Sequence, residues 1–103
     1  LQDGADAVAL YENKAVNLPV GRKLTTNNLV DALVYGTDDA PDNDLLKLLN
    51  TGQKQVDEDT LGYKKKHSCA RLPNGTGFAR NTNTYFAGIP TPGAENRAVP
   101  MLL

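Results

Sequence analysis

The chain has little of what usually staples or anchors a small protein. Its 103 residues hold one cysteine, one histidine, one methionine, two phenylalanines and no tryptophan. A lone Cys69 excludes an intramolecular disulfide, and one Cys with one His cannot fill a structural zinc site, which takes four such ligands. No apolar run approaches the 18 to 20 residues that cross a bilayer; the longest clusters are 29–35 and 45–49. Charge of one sign is also lacking, since eleven Lys and Arg stand against twelve Asp and Glu. No net field therefore draws the chain to nucleic acid or anionic lipid.

The distribution of charge is less even. Residues 37–60 carry seven acids and two bases, whereas 61–103 carry one acid and six bases. Such polarity suits internal pairing or solvated faces, or two different partners. Nine glycines, six prolines and few bulky aromatics place the chain between a compact globule and a loop-rich part that leans on neighbours. Its length allows one small domain with a thin core. The chain starts at Leu1 rather than Met, which gives the expectation of a processed precursor and of an organellar, lumenal, envelope or virion setting.

Local patterns predict a mainly α fold with irregular regions. Asp3 as a cap and Asp6 in a first turn suggest a short helix over 3–13. Thr25 as N-cap, Leu24 packing on Leu29, and Gly36 as a left-handed stop predict a helix over 26–35. Its stripe would be Leu29, Val30, Leu33 and Val34. After an acidic connector, Pro41 suits the first turn of a second helix carrying Leu45, Leu46, Leu48 and Leu49, with Gly52 as its stop. The two stripes would pack as a helical hairpin, with Leu29, Leu33, Leu45 and Leu49 in the core.

The second half reads as loop-rich. Asn74-Gly75 between 64–72 and 78–86 allows at most one β-hairpin. Residues 1–87 form the expected domain, and 88–103, with Pro90, Pro92 and Pro100, an extended interaction arm ending in Val99, Met101, Leu102 and Leu103.

Candidate chemistry is sparse. His67 and Cys69 share one face of a strand, yet nothing in the sequence supplies a third orienting group or an oxyanion hole, so the ordinary reading is a buried small thiol beside a surface imidazole. The carboxylates Asp38, Asp39, Asp42, Asp44, Asp57, Glu58 and Asp59 miss the calcium-loop pattern: from Asp42 the sixth position is Lys47 and the twelfth Gln53. Gly75-Thr76-Gly77 is too short to cradle phosphate, and Asn74-Gly75-Thr76 is a glycosylation acceptor only in a secretory compartment. Lys64, Lys65, Lys66, Arg71 and Arg80, interleaved with Tyr63, Phe78, Tyr85 and Phe86, form the one basic–aromatic stretch.

The function expected from these features is that of a non-catalytic accessory or structural subunit of a larger assembly. It would dock through its apolar helical face, Lys64–Lys66, Arg71, Arg80, Tyr85, Phe86 and the C-terminal arm. Its partners would be protein subunits, with peripheral contact to a membrane complex, and nucleic acid is not expected. Neither cofactor nor metal is implied. The alternatives are a module binding an anionic ligand or nucleic acid through 63–86, and a small enzyme using His67.

Overall fold

A computed structural model describes residues 4–12, 23–62 and 66–97, and the statements below concern these. It overturns the mainly α expectation. Five strands and a single α-helix stand in the described residues: β1 (Asp6–Tyr11), β2 (Leu29–Gly36), α1 (Asn43–Leu49), β3 (Val56–Asp57), β4 (Ser68–Arg71), a 3₁₀ turn (Thr82–Thr84) and β5 (Tyr85–Gly88). They form a three-stranded sheet in the order β1-β2-β3 and a two-stranded sheet β4-β5. There are thus two antiparallel pairs, where the sequence reading allowed one hairpin.

The segment read as a helix over 26–35 is a strand for a geometric reason. Leu29, Val30, Leu33 and Val34 satisfy a helical stripe, but Ala32, Val34 and Gly36 also alternate, and these are the residues buried along β2. Pairing with β1 decides between the two periods, setting Ala7 opposite Val34 and Ala9 opposite Ala32. β1 in turn replaces the helix expected over 3–13.

The end signals of the expected helix serve turns instead. Thr25 Oγ1 accepts from Asn27 N at 3.1 Å, Leu29 N donates to Thr26 O at 3.1 Å, and Asn28 takes φ 61°, which turns the chain into β2. Gly36 is no left-handed cap: it lies buried in β2, where a Cβ would stand 2.8 Å from Gln55 Nε2.

The helix carrying the leucine cluster is present as α1. Its N-cap is Asp42, whose carboxylate accepts from Leu45 N at 3.0 Å, so Pro41 lies before the cap and not in the first turn. The stripe of α1 packs on the sheet, not on a second helix. Leu46 and Leu49 close over Ala32 and Val34, with Ala7, Ala9, Leu29, Leu45 and Leu48 around them. Leu33, expected in the core, is half-buried, because it lies between Ala32 and Val34 and alternation turns it to the other face of β2.

β4 and β5 are joined by a connection over 72–84 rather than a tight Asn-Gly turn. Gly88, at the start of the expected arm, closes β5 opposite Ser68, and Asn96 ties back to the 72–76 turn. Val99, Met101, Leu102 and Leu103 lie outside the described residues, as do Tyr63, Lys64 and Lys65. No helix among the described residues is long and apolar enough to cross a membrane.

Candidate functional site

A polar knot sits where β2, the end of α1 and the connection over 72–84 converge. Asn50, the C-cap of α1, is fully buried. Its Oδ1 accepts from Val34 N at 2.8 Å, while Nδ2 donates to Ala32 O at 3.0 Å and Arg80 O at 2.9 Å. Gln53 Nε2 donates to the same Arg80 carbonyl at 2.9 Å, and its Oε1 accepts from Thr82 N.

Arg80 takes φ 61°, a backbone that a non-glycine residue adopts only when its surroundings hold it there. Here they do. Its N–H donates to Asp31 Oδ1 at 2.7 Å, its Nε to Leu49 O at 2.8 Å, and a terminal nitrogen to Leu48 O at 2.8 Å. The guanidinium thus binds carbonyls that the end of a helix leaves unpaired, with its charge on the negative end of the helix dipole. Asp31 also receives both oxygens' worth of hydrogen bonds from Arg71, at 3.0 and 2.8 Å, and Arg71 lies over the Tyr85 ring at 5.2 Å.

These contacts engage two half-buried cations of the basic–aromatic stretch within the chain. Arg71 and Arg80 join one part of the chain to another, whereas Lys66 is exposed. The acid-rich middle serves local turns in the same way. Asp39 accepts from Thr37 N at 2.8 Å, and Asp57 accepts from Asp38 N at 2.9 Å and Asp59 N at 2.8 Å. Among the described residues no His, Cys, Asp or Glu group is arranged to hold a metal.

His67 is buried and Cys69 half-buried at the head of β4. Burial pushes the Cys69 thiol up to about 12, and the carboxylates of Glu58 and Asp57 push in the same direction. At neutral pH the group is a protonated thiol, the opposite of an activated nucleophile.

Phe86 lines an apolar cleft of about 310 Å³ with Ala70, Ile89, Pro90 and Pro92. No charged side chain lines it, and its polar lining is Ser68, Thr91 and Asn96.

The most exposed large apolar side chain stands at a site the sequence reading did not single out on its own. Phe78 is 84 % exposed on the 72–80 turn, and Leu72 at the start of that turn is exposed too. That turn is held from within. Thr76 N and Oγ1 both donate to Pro73 O, at 3.2 and 2.7 Å, and Asn81 N donates to Phe78 O at 3.2 Å. Leu72 N donates to Thr84 O at 3.0 Å, and Gly77, at φ 86°, lies so close to Thr84 that a Cβ would come within 2.6 Å of its hydroxyl. Arg80 anchors the far end of the turn. A second apolar patch is Val8 and Leu10 on β1, 60 % and 61 % exposed. The glycines around Phe78 were the available sequence signal, since they mark a tightly turned backbone carrying a large aromatic.

No protein-family model, no curated protein and no solved structure matches this chain. The functional reading therefore rests on the geometry above.

Proposed function

We propose that the chain is a non-catalytic interaction module, a structural or accessory part of a larger protein assembly. Phe78 carries this reading: a large aromatic ring 84 % exposed on a turn that internal hydrogen bonds hold in place. Fully burying such a ring in a partner is worth about 1.5–3 kcal/mol, and a turn ordered in advance spares much of the cost of fixing it on binding. Exposed aromatics of this kind are the usual energetic anchors of protein interfaces.

The docking surface differs from the expected one, because the apolar face of α1 is already covered by β2. Phe78 with Leu72, and Val8 with Leu10, take its place. The anionic-ligand alternative is less supported, since Arg71 and Arg80 spend their donors within the chain.

The test is site-specific photocrosslinking in the cells that make the protein. A photoreactive phenylalanine analogue at position 78 should yield a discrete protein adduct that excess wild-type chain competes away and excess Phe78→Ala chain does not. The analogue at Asp44, exposed on α1, should yield none. An unchanged crosslinking pattern at the two positions would refute the reading.

A further inference from the structure

Asn74 is the only one of the chain's ten asparagines that precedes a glycine. Both Asn74 and Gly75 are exposed, Gly75 takes φ 63°, and the space where its Cβ would stand is open. Gly75 itself has no side chain to hinder approach to Asn74, and no other part of the chain occupies the space beside its Cα. The second observation is the partner of the side-chain carbonyl: Asn96 N–H donates to Asn74 Oδ1 at 2.6 Å. Only the oxygen of a carboxamide accepts, so the bond fixes which end of the side chain faces Asn96.

We propose that Asn74 is a site of spontaneous covalent self-conversion, with the Asn96 amide acting as its oxyanion donor. The Gly75 nitrogen attacks Asn74 Cγ, forming the N–Cγ bond while negative charge develops on Oδ1. The Asn96 N–H already points at that oxygen, as donors do where tetrahedral intermediates are stabilised. The Cγ–Nδ2 bond then breaks, and the side-chain nitrogen leaves as ammonia, carrying the proton lost from the Gly75 nitrogen. Water opens the resulting succinimide at either carbonyl, giving aspartate or isoaspartate. Neither metal, oxidant nor second protein is needed.

The product changes what Asn74 does. It adds a negative charge at the exposed turn and destroys the glycosylation acceptor Asn74-Gly75-Thr76. In the isoaspartyl form the backbone runs through the former side chain, so Oδ1, the acceptor of Asn96 N, becomes a main-chain oxygen and the chain path through the turn lengthens by one carbon. Asn96 also donates to Arg71 O at 2.6 Å and lines the apolar cleft beside Phe86. Conversion therefore alters the turn to which the segment walling the cleft is tied.

The test is incubation of the full chain at mildly alkaline pH, followed by site-resolved mass spectrometry and enzymatic isoaspartate counting. Asn74 should convert faster than each of the other nine asparagines. Asn96→Ala keeps the backbone donor and should convert at the wild-type rate. Asn96→Pro removes the donor and should convert about ten-fold more slowly, less than the 10²–10³ that a donor supplies in a water-excluded site. An amide-to-ester replacement of the Asn96 backbone nitrogen removes the same N–H without a proline ring, so it should match Asn96→Pro even if that variant folds poorly. The proposal fails if Asn74 converts no faster than the other asparagines, or if removing the Asn96 donor by either route leaves the rate unchanged or raises it.

Discussion

At the scale of single residues, the side chains that matter most are polar ones with several partners each. Asn50 satisfies Val34 N, Ala32 O and Arg80 O from a fully buried position. Asn50→Ala strands the Val34 donor and removes a bond from the Ala32 carbonyl, while Gln53 still serves Arg80 O, and should lower unfolding free energy by about 2–4 kcal/mol in a denaturant titration. Arg80→Lys keeps the charge but not the two-pronged grip on Leu48 O and Leu49 O, and should cost about 1–2 kcal/mol in the same measurement. Cys69 gives a pH prediction. Its thiol is raised from 9.0 to about 12 by burial and by Glu58 and Asp57, so between those values the unfolded chain releases a proton that the folded chain keeps. Stability should therefore be unaffected by this group below about pH 9 and fall as pH rises through that window. Cys69→Ser, followed by thermal melts from pH 8 to pH 11, should show a shallower decline than wild type. An equal slope in the two proteins would contradict the assignment.

At the scale of elements, the fold depends on α1 closing over one face of β2. Leu49 is fully buried there and Leu33 is not, so Leu49→Ala should cost about 2–5 kcal/mol and Leu33→Ala distinctly less. Chemical denaturation of both variants decides the matter, and the reverse order would mean that β2 presents its other face to the helix. The 72–80 turn offers an internal comparison. Gly77 and Gly75 both have positive φ, but a Cβ on Gly77 collides with Thr84 while one on Gly75 meets open space. Gly77→Ala should therefore destabilise the chain by about 1 kcal/mol or more beyond Gly75→Ala, since both carry the backbone penalty and one adds a clash.

At the scale of the whole molecule, the buried apolar core among the described residues is small: Ala32, Val34, Leu46, Leu49 and Val56. The accessible surface of 7287 Å² exceeds the roughly 5,700 Å² expected of a compact monomer of this mass. Polar contacts take over part of the work of joining the parts. Asp31 binds Arg71 from β4 and Arg80 from the connection that follows, and so links the two sheets. Asp31→Ala should accordingly destabilise the chain more than Arg71→Ala, because it frees several donors at once. Phe78→Ala should leave the melting temperature almost unchanged, since the ring touches little of its own chain. Calorimetry of the three variants tests both statements. A large loss in Phe78→Ala would make the ring part of the fold and remove the basis for its role as an anchor.

What the sequence by itself determined was local. The leucine cluster at 45–49 forms a helix wherever it packs, and the Pro-Asn-Gly-Thr-Gly run turns because proline and glycine leave few other backbone choices. The absence of a disulfide followed from one cysteine. The tertiary structure decided the rest. Residues 29–36 fit two periods, and only hydrogen bonding to β1 across a long connection selects the strand. Once that strand forms, parity puts Ala32 and Val34 inside and leaves Leu33 half-covered, which no helical stripe foretells. Arg71 and Arg80 are surface cations by type and internal clamps by position, because their partners Asp31, Leu48 and Leu49 lie some thirty to fifty residues away in sequence. Strand pairing and buried polar partnership are contacts between distant segments, and no window along the chain contains both sides of them.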